Sequence, residues 1–233
     1  MKTVILAGGR GTRMENETQY IPKPMVPVGD KPIIWHIMKI FDHYGFKEFF
    51  ILTGYRGKEF IKLFDLIDPS WDISLIDTGL ETLTATRLNM VKDLLKDDFF
   101  MTYGDGLADI NLFELIRNHT HNSTFVTVTA VHPPGRFGAM ELQEDGKVTR
   151  FVEKEPLRTA WINGGFFIIK PRAFDYITGE VMWEHRPLQN LAHDGQLNAY
   201  KHEGFWQCMD TPRDLIYLNE LWAQPNCPWR VWV

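Results

Sequence analysis

Apolar and polar positions follow one another along this chain in blocks that switch between two periods. Unbroken apolar runs recur at Thr3-Val4-Ile5-Leu6, Phe49-Phe50-Ile51-Leu52 and Phe99-Phe100-Met101-Thr102. Short apolar runs bounded by glycine or polar residues are the pattern of strands buried on both faces. Between them the period lengthens. Ile33, Ile34, Ile37, Met38 and Phe41 make one stripe at helical spacing, with Asp30 as the expected cap, Pro32 in the first turn and Gly45 at the end. Further helices are predicted over 58–68, with Phe60, Ile61, Phe64 and Ile67 inward, over 86–95 and over 111–121. Strands are predicted over 71–77 and over the β-branched stretch 124–131. Strands alternating with helices predict an α/β fold whose mostly parallel sheet has helices on both faces.

The second half changes character. Segments 139–142, 148–151 and 165–169 read as strands joined by turns, which complete a mixed sheet. Thr211-Pro212-Arg213-Asp214 is a helix start: a cap, a proline at the first helical position and an acid at the third. That helix is expected to run to Trp222. The Pro- and Trp-rich tail after it reads either as a subunit contact, making the chain a homo-oligomer, or as a cover for the core. No low-complexity linker or repeat interrupts the chain, so residues 1–233 are expected to form one domain.

Composition narrows the partners. The net charge of −5 offers no basic surface for nucleic acid or an anionic membrane. No apolar run approaches a membrane span, and the N-terminus enters a strand with no signal peptide pattern, so a cytoplasmic location is expected. Two cysteines, Cys208 and Cys227, do not make a disulfide framework. The eight histidines show no zinc spacing; His119 and His121 are two apart and do not share a helix face.

The chemistry concentrates where the first strand ends, at Leu6-Ala7-Gly8-Gly9-Arg10-Gly11-Thr12-Arg13. Gly8, Gly9 and Gly11 leave no side chains between backbone and ligand, so N–H groups can converge on phosphate oxygens. Arg13 adds a guanidinium able to grip phosphate at two points. Pro22-Lys23-Pro24 adds a lysine on a stiff tether. No Gly-Lys-Ser/Thr follows the loop, which excludes a Walker A motif, and Met14 stands where a dinucleotide fingerprint needs its third glycine. The combination describes a triphosphate-binding site. Ligands in such folds collect at the carboxyl ends of the strands, where the Gly104-Asp105-Gly106 turn is also expected.

The segment from Leu6 to Met25 resembles the N-terminal signature of the sugar-phosphate nucleotidylyltransferases, and among them the glucose-1-phosphate cytidylyltransferases. Similar stretches continue at Lys31 to Met38, Thr102 to Gly106, Pro133 to Gly138, Ile162 to Phe167 and Gly204 to Gln207. The resemblance implies a Rossmann-like fold of the nucleotide-diphospho-sugar transferase type. It implies attack by a sugar 1-phosphate on the α-phosphorus of CTP, with loss of pyrophosphate. Nucleotide is then expected at Leu6, Ala7, Gly8, Gly9, Gly11, Thr12, Arg13, Lys23, Thr78, Gly79, Arg87, Gly104 and Asp105, mostly in the 1–132 half. Sugar phosphate is expected at Arg136, Gly138, Glu153, Lys154, Asn163 and Gly164 in the 133–233 half, which also carries the C-terminal helix. Arg13, Lys23 and Lys154 would act in catalysis, and Asp105 and Asp210 would hold Mg²⁺.

The sequence departs from that family in four places. Glu155 separates Glu153-Lys154 from Pro156, where the family has Glu-Lys-Pro; Thr84-Ala85-Thr86-Arg87 replaces Thr-Gly-Gly-Arg; Cys208 stands at a usual proline; and the segment 68–74 is short. The short segment and the replaced Thr-Gly-Gly-Arg leave open another sugar or polyol phosphate, or another nucleotide. A non-catalytic nucleotide-sugar sensor is the alternative of another class, and Arg13, Lys23, Asp105, Lys154 and Asp210 together argue against it.

Overall fold

A computed structural model describes residues 1–135, 138–144, 146–153 and 160–232. Its centre is a seven-stranded sheet of β1 (Thr3–Leu6), β2 (Glu48–Thr53), β3 (Asp72–Asp77), β4 (Phe99–Tyr103), β5 (Val126–Val131), β6 (Ile162–Ile169) and β7 (Leu197–Lys201). The spatial order is β7-β5-β6-β4-β1-β2-β3. β6 alone runs against its neighbours β4 and β5; the other pairings are parallel.

The apolar runs of β1, β2 and β4 and the apolar end of β6 are unbroken because successive side chains feed two cores. Ile5, Phe49, Ile51, Phe100, Phe166 and Ile168 enter one layer. Val4, Leu6, Phe50, Leu52, Met101, Phe167 and Ile169 enter the other. This is the two-residue period of a strand with helices on both faces. The first layer is closed by α1 (Ile33–His43), whose Ile33, Ile34, Ile37, Met38 and Phe41 are buried. α1 stops where Gly45 takes a φ of +84°.

Two local expectations are corrected, and the tail is placed. Asp30 does not cap α1. Pro32 occupies that position, because Pro27–Val28 and Lys31–Pro32 pair as a hairpin and leave Gly29 and Asp30 as its turn. The first helical N–H is taken by Val26 O at 3.0 Å instead. The helix expected over 58–68 is a 3-10 helix, Gly57–Asp65. Three residues per turn put Phe60 and Leu63 on the buried side and leave Ile61 and Phe64 exposed, at 63% and 46%. The tail after Trp222 covers the core: Trp229 is fully buried, stacks on Trp222 and Phe205, and donates from Nε1 to His36 Nδ1 at 3.4 Å.

The helix over 86–95 is found as α2 (Thr84–Met90) followed by a 3-10 turn, Lys92–Leu94. Asn111 caps α3 (Leu112–Asn122) through its side chain. α4 (Arg186–His193), β7 and the short strand Trp206–Cys208 lie in a stretch where the sequence pattern marked no element. α5 (Pro212–Trp222) opens with a reciprocal Thr211–Asp214 capping box, as its sequence predicts. No helix among the described residues is long and apolar enough to cross a membrane.

Candidate active site

The glycine loop leaves the carboxyl end of β1 between β2 and β4, which anchor it through Ala7 N to Leu52 O at 2.9 Å and Gly104 N to Leu6 O at 3.1 Å. Pro22-Lys23-Pro24 then packs where glycine is the only residue that fits. A Cβ on Gly104 would sit 2.7 Å from Pro24 Cγ, and one on Gly11, whose φ is +65°, would sit 3.0 Å from Lys23 Cβ. The lysine is thereby aimed inward. Its Nζ donates to Asp105 Oδ2 and to Asp210 Oδ1, both at 2.7 Å, and Arg13 Nη1 donates to Asp210 Oδ2 at 2.8 Å.

Asp105 and Asp210 stand 105 residues apart in sequence and are joined by a small sheet. Trp206–Cys208 pairs antiparallel with Gly106–Ala108, with Cys208 opposite Gly106. Met209 N donates to Asp105 O at 2.8 Å. The capping box of α5 fixes Asp210 from the other side, through Asp210 N to Asp214 Oδ2 at 3.1 Å. Burial lowers the Lys23 pKa, but Asp105 and Asp210 outweigh it and leave the ammonium strengthened. Burial likewise opposes ionisation of Asp210, yet Lys23 and then Arg13 hold its pKa below the usual value. Lys23 and Asp210 are both charged at neutral pH.

Two carboxylates meeting on one ammonium converge on a single point, which suits a small hard cation that also takes phosphate oxygens. Among the described residues no cluster of three or more His, Cys, Asp or Glu side chains forms a metal site alone. A cation here would therefore depend on the substrate for its remaining ligands.

The loop floors a cleft of about 420 Å³ that includes Leu6, Ala7, Gly8, Gly9, Gly11, Thr12, Arg13, Lys23, Gly104, Asp105 and Asp210. Its opposite wall is Leu80 to Thr84, with Arg87 at its base. Thr78 and Gly79 do not line it. Thr78 is buried, and its hydroxyl donates to Thr53 O at 2.8 Å. Arg87 lines the cleft, and its hydrogen bonds go to the protein. The residue is 4% exposed, and its guanidinium donates to Gly8 O, Thr53 O, Thr78 Oγ1 and Leu80 O. A Cβ on Gly8 would lie 2.2 Å from Arg87 Nη1, so the glycine makes room for the arginine. Arg87 thus ties the loop to the facing wall.

A second cleft of about 260 Å³ holds Asn163 and Gly164. It shares Arg13, Tyr103, Asp105 and Asp210 with the first, so the acidic pair marks the junction of the two. Asn163 Oδ1 accepts from Gly165 N at 2.8 Å, and Trp206 Nε1 donates to Gly164 O at 2.7 Å. Neither half of the chain owns a cleft: Met182 and Asp210 line the first, and Tyr103 and Asp105 line the second.

Gly138 and Glu153 are register partners in the hairpin of Gly138–Leu142 and Val148–Glu153. Arg136 and Lys154 lie outside the described residues. Sequence reasoning missed Tyr103, Glu184 and Trp206. The Tyr103 hydroxyl donates to Glu184 Oε1, and Thr84 Oγ1 donates to Glu184 Oε2 at 2.9 Å. Burial, then the Glu184 charge, drives the Tyr103 pKa well up, so the phenol stays protonated. Tyr103 and Trp206 sit inside motifs quoted above; nothing in the spacing around Glu184 announces it.

Cys208 lines the second cleft with its Sγ 3.7 Å from Asp210 Oδ2. Burial and then the neighbouring carboxylates push its pKa up to about 12, so the thiol is not a nucleophile.

Comparison with known proteins agrees with this geometry. A family model described as nucleotidyl transferase matches residues 2–221. The chain is 44% identical to a glucose-1-phosphate cytidylyltransferase from Salmonella typhi over 258 aligned positions, covering all of both chains. It is 44% identical over 257 positions to a probable glucose-1-phosphate cytidylyltransferase from Bacillus subtilis, again over all of both. Both alignments are longer than the 233 residues of this chain, so the relatives carry residues it lacks. The fold is similar to a putative glucose-1-phosphate thymidylyltransferase from Bacillus anthracis, solved in complex with a sucrose. The TM-score is 0.73 at 22% identity, over 95% of this chain and 94% of that one. A glycine loop facing a lysine-bridged carboxylate pair, on a sheet of this order and under a family match running nearly end to end, makes this chain a member of the nucleotidyl transferase family.

Proposed function

We propose that the protein transfers a cytidylyl group from CTP to a sugar 1-phosphate, glucose 1-phosphate first among them, releasing pyrophosphate. The observation that carries this is the 44% identity over the full length of glucose-1-phosphate cytidylyltransferases. In this reading CTP occupies the larger cleft and the sugar phosphate the smaller. The attacking phosphate oxygen meets the α-phosphorus at their junction, beside Arg13, Asp105 and Asp210. The new P–O bond forms as the bond to pyrophosphate breaks, with no covalent enzyme intermediate. Alignment and charge neutralisation supply the rate.

Lys23 and Arg13 leave their carboxylate partners for phosphate oxygens when the anions arrive. Mg²⁺ suits the freed Asp105 and Asp210, and bound there it would neutralise charge on the reacting phosphates. Lys154 serves the sugar phosphate, so Lys154→Ala is expected to raise its KM while Lys23→Ala damages the response to CTP. The wall Leu80 to Thr84, rather than Thr78 and Gly79, faces the base. We also read the chain as one domain that acts in the cytoplasm as a homo-oligomer, where both substrates are made.

The residues this chain lacks relative to its relatives favour a second reading, the same transfer with another sugar or polyol phosphate or another nucleotide. The test crosses CTP, UTP, ATP, GTP and dTTP with several sugar 1-phosphates and identifies products by mass. CDP-glucose from CTP and glucose 1-phosphate is the expected dominant product. A different dominant pair replaces the substrates and keeps the reaction. Nucleotide binding without pyrophosphate release from any pair would make the protein a sensor and overturn the enzyme reading.

A further inference from the structure

The glycine loop carries one long side chain that the proposed reaction leaves idle. Arg10 stands between Gly9 and Gly11 and lines the larger cleft. Its Nη2 donates to Glu81 Oε1, on the opposite wall, and its guanidinium carbon lies 6.0 Å from the centre of the Tyr55 ring. The pair thus bridges the cleft from wall to wall. The other cations of the cleft have other partners. Lys23 and Arg13 share Asp105 and Asp210, and Arg87 is committed to backbone and hydroxyl oxygens. The Arg10 and Glu81 side chains are 49% and 78% exposed, and so exposed an ion pair contributes little. A polyphosphate offers a guanidinium more charge than one carboxylate, and two-point geometry as well.

Position decides which phosphates are concerned. The α-phosphorus must react where the two clefts join, at Arg13, Asp105 and Asp210. Arg10 and Glu81 line the larger cleft alone, away from that junction. We propose that Arg10 binds the β- and γ-phosphates of the incoming nucleoside triphosphate, and that Glu81 competes for it. The pair bridges the cleft without nucleotide and parts as the triphosphate enters, so Glu81 sets the affinity. The inference rests on the triphosphate reading above.

The test is calorimetric titration of wild type, Arg10→Ala, Glu81→Gln and the double variant with CTP and CMP, without sugar phosphate. Arg10→Ala should weaken CTP about tenfold and leave CMP within about twofold. Glu81→Gln should tighten CTP about threefold, and the double variant should match Arg10→Ala, since Glu81 then has nothing to withhold. The KM for sugar 1-phosphate should not move in any of them. Equal loss of CTP and CMP in Arg10→Ala, unchanged CTP affinity there, or weaker CTP binding by Glu81→Gln would each overturn the proposal. Failure of the wild type to bind any nucleoside triphosphate is a different result, which removes the nucleotide reading itself.

Discussion

Arg87→Ala separates a nucleotide ligand from a structural clamp. The guanidinium donates to Gly8 O, Thr53 O, Thr78 Oγ1 and Leu80 O, and the residue is 4% exposed. Its loss does not orphan all four acceptors. Thr53 O keeps Thr78 N at 3.0 Å and Thr78 Oγ1 at 2.8 Å, and Gly8 O keeps Tyr55 N at 3.1 Å. Leu80 is exposed, so water can replace the donor to its carbonyl. What remains is the net value of four re-pairable bonds plus a void behind the loop, about 3 kcal/mol together. For a chain of this length that lowers Tm by about 6–12 °C. Arg87→Lys should recover less than half, because one ammonium cannot span four acceptors in two walls. The assay pairs denaturant unfolding with CTP titration of the same variant. Stability within about 0.5 kcal/mol of wild type, combined with loss of CTP binding, would refute the clamp and make Arg87 a ligand after all.

Asp105→Asn and Asp210→Asn should each cut turnover at least about a hundredfold while the unfolding midpoint stays near wild type; near-normal turnover at low Mg²⁺ removes that residue from the proposed metal shell. Gly8→Ala should behave as a milder Arg87→Ala, because the new Cβ falls 2.2 Å from Arg87 Nη1; an unchanged Tm would contradict the close packing. His36 should govern part of the acid limb of stability. It donates from Nε2 to Val28 O at 2.9 Å, and burial pulls its pKa from 6.5 down to about 4. The unfolded chain therefore takes the proton first. Stability is complete above pH 6.5 and falls by about 3 kcal/mol as the pH drops to 4; His36→Phe should flatten that slope, and parallel pH curves would count against it. Alkylation of freshly unfolded, unreduced protein should modify both Cys208 and Cys227, and an intrachain disulfide would contradict this.

The sequence by itself determined whatever depends on near neighbours. Apolar runs of four read as strands buried on both faces, and the structure sends Ile5 one way and Leu6 the other. The Thr211–Asp214 box needs three intervening bonds and no tertiary partner, so it was legible as written. Gly8, Gly9 and Gly11 marked a loop with bare backbone at the end of β1, because backbone freedom is a property of the residue itself. The tertiary structure decided the rest. Phe60 and Leu63 face inward because the chain winds three residues per turn there, a choice made by packing and not by spacing. β7 shows only three partly buried residues in five, too weak an alternation to announce a strand, and exists because β5 offers it an open edge. The partners of Arg87 could not be read in sequence, because they come from residues 8, 53, 78 and 80, which no local pattern connects. Asp105 and Asp210 could each be suspected in sequence, but only the pairing of Gly106–Ala108 with Trp206–Cys208 brings them to one lysine, since charge acts through distance in space and the chain records only distance along itself.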